Sequence, residues 1–115
     1  MKFIIYHNPR CSKSRQTLDL LRQHDIEPEI IEYLNEPPDA ATLRRIVKKL
    51  GLTPRDLLRT KEKVYKELGL ADKDVTDAEL LDIMSGNPIL IERPIVIHGD
   101  RAVIGRPPEN ILELL

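Results

Sequence analysis

The sequence is poor in cysteine, in aromatic residues and in long apolar runs, and each shortage excludes a class of protein. Its one cysteine, Cys11, rules out an intramolecular disulfide, a Cys-x-x-Cys redox pair and a zinc site built from several thiolates. Three tyrosines, one phenylalanine, no tryptophan and a net charge of -1 do not suit nucleic-acid binding. The longest purely apolar run, Phe3–Tyr6, is too short for a membrane span or a signal-peptide core. We therefore expect a cytoplasmic protein in a reducing compartment, with no nucleic-acid or membrane partner.

The length of 115 residues fits a single domain spanning 1–115. With 41% hydrophobic and 32% charged residues, the composition is typical of a soluble globular chain. No exposed apolar stripe demands a second subunit, so we expect a monomer.

The first third of the chain predicts a strand, a helix and a second strand. Lys2–Tyr6 and Glu29–Tyr33 are short β-rich runs, and Ser12 or Ser14 can cap a helix that runs to about His24. A β-α-β segment of this size predicts two parallel strands.

The rest of the chain predicts helices and then a hairpin. Apolar spacing predicts several helices within residues 39–90, of which Asp39–Leu50 is the clearest. Period-two patterns at Ile95–Ile97 and Arg101–Ile104 predict a β-hairpin, and Pro107 opens a last helix. The predicted fold class is α/β and thioredoxin-like: a mixed four-stranded sheet flanked by helices, with a helical insertion at about 39–90 between β-α-β and β-β-α.

Cys11 follows the first strand and starts the first helix. Unpaired backbone N–H groups and the helix dipole stabilise a thiolate there, and Arg10, Lys13, Arg15 and a protonated His7 would add to the effect. The alternative is that Cys11 is a small buried hydrophobe, but its polar loop argues against this. We therefore expect a nucleophile with a lowered pKa.

The neighbours of Cys11 restrict its chemistry. A phosphatase-like thiol enzyme needs an arginine where Thr17 stands, and a dithiol oxidoreductase needs a cysteine where Ser14 stands. An adduct on Cys11 therefore has to be resolved by a thiol from another molecule, such as glutathione or a glutaredoxin-type protein. Of the remaining histidines, His24 stands at a predicted helix end and His98 in a hairpin turn, so no closed tetrahedral site is visible and we expect no metal.

Three arginines, Arg59, Arg93 and Arg106, stand at predicted element boundaries. Guanidinium groups bind oxyanions through paired donors, so their convergence on the thiolate would form an anion pocket. Taken singly, each arginine is an ordinary surface residue, and spacing alone does not show convergence. Pro94 stands where a thioredoxin-like sheet has a cis-proline beside the active cysteine, which would set Arg93 next to the thiol.

Three segments together carry a family resemblance: His7–Arg15, Glu92–Ile95 and Gly105–Glu109. They closely resemble the glutaredoxin-coupled arsenate reductase family over essentially the whole chain. Arg10 and Ser12-Lys13 depart from the characterised members, and the chain ends sooner. The sequence therefore looks more like the less characterised branch, which leaves the thiol chemistry intact and the substrate open.

The resemblance implies an oxidoreductase of the glutathione/glutaredoxin type that reduces arsenate to arsenite in arsenic detoxification. Arsenate would add to a nucleophilic Cys11, glutathione would attack the bound arsenic as co-substrate, and glutaredoxin would reduce the mixed adduct, with no bound cofactor. The implied supporting roles are thiolate stabilisation by His7 and Ser14, oxyanion binding by Arg59, Arg93 and Arg106, and structural support by Asn8, Arg15 and Pro94.

Two other functions remain open at this point. The Cys-x-x-Ser loop also suits a glutathione-dependent monothiol oxidoreductase that acts on mixed disulfides. Redox-sensing regulators that contact RNA polymerase share the fold, but their sensor is a Cys-x-x-Cys pair, which Ser14 breaks.

Overall fold

The computed structural model describes residues 2–115. The chain divides into two compact units, one formed by the residues up to Glu36 together with Arg93–Leu115 and the other by Pro37–Glu92. The second unit spans nearly the same residues as the predicted helical insertion, whereas a single domain over 1–115 stays a prediction. Across residues 2–115, no helix combines the length and apolarity that crossing a membrane requires.

The first unit contains a four-stranded sheet in the order β2-β1-β3-β4. Strand β1 (Phe3–His7) pairs in parallel with β2 (Glu29–Glu32) and antiparallel with β3 (Ile95–His98), which forms a hairpin with β4 (Arg101–Ile104). The hairpin turn contains Gly99 at a φ of 64°, a left-handed conformation that glycine adopts without steric cost. The predicted mixed four-stranded sheet is confirmed.

Helix α1 (Ser12–Gln23) and a 3-10 helix (Pro108–Leu114) pack against one face of this sheet. Ile5 and Val96 mark that face, since they lie opposite each other in the pairing of β1 with β3. This packing fixes the N-terminus of α1 at the carboxyl end of β1. The buried residues of the cluster are Ile5, Leu18, Leu21, Val96, Ile111 and Leu114.

The start of α1 differs from the prediction. The N-cap is Cys11, with φ -94° and ψ 125°, so the prediction that Ser12 or Ser14 caps the helix is wrong. The reason is a turn just before the helix, in which the backbone N–H of Cys11 donates to the Asn8 carbonyl at 3.0 Å. The thiol therefore occupies the place where a capping oxygen usually faces the first backbone N–H groups.

The second unit is helical throughout most of its length. It contains α2 (Ala40–Leu50), α3 (Lys63–Glu67) and α4 (Asp77–Gly86), with 3-10 helices at Pro54–Leu57 and Pro88–Leu90. The three α-helices correspond to predicted ones.

Local capping residues set the bounds of these helices. Asp39 accepts a hydrogen bond from the Thr42 N–H at 2.8 Å and starts α2, and Gly51, with a φ of 70°, ends it. Thr76 and Glu79 form a reciprocal capping box at the start of α4.

Candidate active site

A short loop between β1 and α1 holds Cys11 in place. The Asn8 side-chain oxygen accepts a hydrogen bond from the Arg10 N–H at 3.0 Å, in addition to the carbonyl contact with Cys11. Arg15 Nη1 donates to the Pro9 carbonyl at 2.8 Å. Asn8 and Arg15 thus hold the loop backbone, while a supporting role for them in catalysis stays a prediction.

Ser14 and His7 form a buried pair beneath this loop. Ser14 is fully buried, and its Oγ lies 2.6 Å from His7 Nδ1 and accepts the Asn8 N–H at 3.0 Å. Burial lowers the pKa of His7, nearby Arg22 and Arg15 lower it further, and Glu32 opposes them only in part. The lowered pKa favours the neutral ring, in which Nδ1 and the Ser14 hydroxyl share one hydrogen bond.

This arrangement changes the role expected of His7. The sequence predicts a protonated imidazole that adds positive charge near the thiol, whereas the lowered pKa favours a neutral ring bonded to Ser14. His7 therefore acts on the site by orienting Ser14 and, through Ser14, the loop. Direct stabilisation of the thiolate by either residue stays a prediction.

The Cys11 thiol is only 9% exposed, yet its surroundings are polar. Burial raises its pKa, but the Ser14 backbone N–H, the Arg93 guanidinium and the Lys13 backbone N–H together outweigh burial and hold the pKa below that of a free cysteine. Arg106 Nη2 lies 3.6 Å from the sulfur. Cys11 is thus a buried thiol whose pKa lies below that of a free cysteine, rather than a core hydrophobe.

Arg93 and Arg106 reach the thiol from the segments that flank the hairpin. Arg106 Nε donates to the Arg93 carbonyl at 2.7 Å, and the Gly105 N–H donates to the Pro94 carbonyl at 2.9 Å. The Arg93–Pro94 peptide bond is cis. These contacts tie the two arginine-bearing segments together beside Cys11.

Two positioning residues were missed by the sequence analysis. Thr17 is fully buried on α1, and its hydroxyl lies 2.8 Å from the Lys13 carbonyl and 3.2 Å from the Gly105 carbonyl. Gly105 packs so closely that an added Cβ would lie 2.5 Å from Thr17 Oγ1. The sequence did contain a pattern that indicates Thr17. The helical spacing of Ser14, Thr17, Leu18 and Leu21 places two hydroxyl residues on the inward face of α1.

Arg59 belongs to the helical unit. Its Nε lies 3.1 Å from Glu62 Oε2, its Nη1 lies 3.0 Å from Glu92 Oε1, and its side chain is 17% exposed. The backbone of Arg59 is also bonded within the helical unit, because its N–H donates to the Leu90 carbonyl at 2.7 Å. Cys11, Arg93 and Arg106 come together within the first unit, and a role for Arg59 in oxyanion binding stays a prediction.

The site can perform nucleophilic chemistry on an anion. A thiol with a lowered pKa supplies the nucleophile, and two guanidinium groups beside it can compensate the negative charge of an incoming group. Within residues 2–115, no group of three or more His, Cys, Asp or Glu side chains is arranged to hold a metal ion.

A mixed sheet with one low-pKa thiol at the start of its first helix and a cis-proline before β3 defines a thioredoxin-like thiol protein. More narrowly, the chain belongs to the ArsC family, which it matches over residues 6–114. The predicted family and fold are thereby confirmed.

Relatives of known sequence and structure agree with this assignment. The chain is 52% identical to the arsenate reductase of Haemophilus influenzae, with both chains covered in full. It is 54% identical to the uncharacterized protein YfgD of Escherichia coli K12, over 96% of this chain and 94% of that protein. The solved structure of the arsenate reductase from Vibrio cholerae shares 48% identity and a TM-score of 0.96, over 100% of this chain and 98% of that one.

Proposed function

We propose that this protein is an oxidoreductase that reduces arsenate to arsenite through the thiolate of Cys11. The observation that carries the proposal is the Arg106 guanidinium 3.6 Å from the sulfur, where it can serve both the nucleophile and an oxyanion. The pKa of Cys11, lowered by Arg93 and two backbone N–H groups, supports the same reaction. Membership in the ArsC family, with arsenate reductases among its relatives, supports arsenate as the oxyanion.

The reaction starts when the Cys11 thiolate attacks arsenic. An As–S bond replaces one As–O bond, and the displaced oxygen leaves as water after taking up protons. Glutathione then condenses at the same arsenic(V) centre and releases a second water. The thiol of glutaredoxin attacks the sulfur of this bound glutathione, leaving two electrons on arsenic and forming a glutathione–glutaredoxin disulfide. Water hydrolyses the remaining As–S bond, which frees arsenite and restores the Cys11 thiol.

Both reducing thiols come from outside the chain in this scheme. The sequence has a single cysteine, which the arsenic adduct occupies until the last step. Glutathione and glutaredoxin are the thiols that a reducing cytoplasm supplies, so we assign the protein to that compartment and require no bound cofactor.

A coupled assay tests the proposal. Consumption of NADPH by glutathione reductase, in the presence of glutathione and glutaredoxin, is expected to depend on arsenate and on the protein. Cys11→Ser removes the nucleophile and should abolish arsenate-dependent turnover. Arg106→Gln removes a cation that contacts the sulfur and should lower kcat/KM for arsenate about 10- to 100-fold.

Arg44→Gln is the matched control, because Arg44 is an exposed arginine of the helical unit that lines no part of the thiol site. Turnover that survives Cys11→Ser, or equal losses in Arg106→Gln and Arg44→Gln, would contradict the proposal. Turnover on a glutathionylated peptide but not on arsenate would instead support a monothiol oxidoreductase, the function that the Cys-x-x-Ser loop also suits.

A further inference from the structure

A cleft beside the thiol is not used by the arsenate chemistry described above. It has a volume of about 370 Å3 and lies between one face of α1 and the start of the C-terminal 3-10 helix. This volume falls in the range of small-molecule sites, roughly 300 to 1,000 Å3. We call it the α1 cleft, and the residues of its lining that matter here are Lys13, Gln16, Asp19, Gln23, Pro107 and Glu109.

The near end of the α1 cleft is the end at Lys13, two positions along the chain from Cys11. On one wall stands Lys13, whose backbone N–H helps to lower the pKa of the thiol. On the other wall stands Pro107, which directly follows Arg106, whose Nη2 is 3.6 Å from the sulfur. A molecule in the cleft would thus lie between a residue whose backbone N–H bonds the thiol and the neighbour of Arg106.

The length of the cleft suits a short peptide. Lys13 and Gln23 are ten positions apart on α1, which corresponds to about 15 Å at 1.5 Å per residue. An extended tripeptide spans roughly 10 Å. A tripeptide thus fits along the helix with one part at the near end and room to spare at the far end.

The charges of the cleft suit a peptide that carries both carboxylate and ammonium groups. Lys13, Asp19 and Glu109 are exposed, and within residues 2–115 their side chains form no salt bridge or hydrogen bond. Lys13 can receive a carboxylate near the thiol, and the two acidic side chains can receive an ammonium group further along. The side-chain amides of Gln16 and Gln23 can pair with peptide groups.

We propose that the α1 cleft is the binding site of the outside thiol, glutathione, and that Lys13 binds one of its carboxylates. The inference rests on the proposed function for the identity of the thiol. It assigns to Lys13 a role in binding the co-substrate rather than arsenate.

Kinetics on Lys13→Gln test the assignment. Loss of one charge-assisted contact at an exposed site should raise KM for glutathione about three- to fivefold, with KM for arsenate and kcat at saturating glutathione within about twofold of wild type. The control is Lys48→Gln, because Lys48 is an exposed lysine of α2 that lines a different cleft. It should change neither KM. Equal KM values for glutathione in both variants, or an increase only in Lys48→Gln, would overturn the inference while the proposed function stands.

Binding of S-methylglutathione gives a readout that does not depend on turnover. Titration of the 15N-labelled protein should shift the backbone amides of Gln16, Leu20 and Glu109 and leave those of Leu34 and Asn35 unmoved. Shifts confined to Leu34 and Asn35, or no shifts at tens of millimolar ligand, would also overturn the inference. Shifts in the α1 cleft of a protein without arsenate turnover would support this binding site and count against the proposed function alone.

Discussion

Replacing Gly105 with alanine tests how tightly the Arg106-bearing segment packs on α1. An added Cβ would lie 2.5 Å from Thr17 Oγ1 and 2.9 Å from both Thr17 Cγ2 and Pro94 Cγ. Thr17 is fully buried, and its hydroxyl bonds the Lys13 carbonyl at 2.8 Å, so the side chain cannot turn away freely. Overpacking of a core costs about 1 to 3 kcal/mol, and three such contacts place Gly105→Ala at the upper end, about 2 to 3 kcal/mol.

Urea denaturation measures this cost, with Gly86→Ala as the control. Gly86 lies in α4 with no atom within 4 Å of an added Cβ, so alanine there should leave the free energy of unfolding equal or slightly higher. On a Thr17→Ala background, which lacks two of the three crowded atoms, Gly105→Ala should cost less than it does in the wild type. Gly105→Ala should also lower arsenate turnover, since its neighbour Arg106 contacts the sulfur. A Gly105→Ala protein as stable as Gly86→Ala, or an equal cost on both backgrounds, would refute the reasoning.

Two further predictions concern protonation. The rate of Cys11 alkylation by iodoacetamide should rise with pH around a midpoint below that of the same cysteine in the unfolded chain, and Arg93→Gln should move that midpoint upward because Arg93 lowers the pKa. An unchanged midpoint would contradict this. Burial lowers the pKa of His7, so the unfolded chain takes up a proton near pH 6.5 before the folded chain does. The free energy of unfolding should therefore fall as the pH drops below about 6.5, and this fall should be smaller in His7→Gln. An NMR titration midpoint for His7 above about 6.5 would contradict the lowered pKa of this residue.

Local sequence patterns were sufficient for most elements of the fold. The hairpin followed from the period-two runs around Gly99, and α2 from its apolar spacing with Asp39 before it and Gly51 after it. The prediction of the α1 N-cap was wrong because general residue preferences place serine well above cysteine at this position. The turn in which the Cys11 N–H bonds the Asn8 carbonyl makes Cys11 the N-cap. This turn depends in part on the hydrogen bond that the Asn8 N–H donates to Ser14 Oγ.

The convergence of Arg93 and Arg106 on Cys11 was out of reach of local patterns. It depends on β3 lying antiparallel beside β1, with Ile95 opposite Tyr6, so that the segment before β3 lies at the end where β1 leads into the Cys11 loop. The hairpin then returns β4 to the same end, because Ile104 lies opposite Ile95. The sequence predicted the hairpin but not its neighbour. The place of Pro94 in a thioredoxin-like sheet indicated Arg93, and the family resemblance indicated that the arginines act together.

Opposing effects set the pKa of the Cys11 thiol, and under the proposed function they decide how it reacts. The backbone N–H groups and Arg93 that stabilise the thiolate also weaken its attack, because nucleophilicity falls as the pKa of a thiol falls. Burial acts in the opposite direction and limits the decrease in pKa. A thiol is most effective when its pKa lies near the ambient pH, where much of it is ionised and the anion is still a strong nucleophile. The burial of Cys11 therefore limits how far Arg93 and the N–H groups lower its pKa, which under the proposed function favours a thiolate that is still a strong nucleophile.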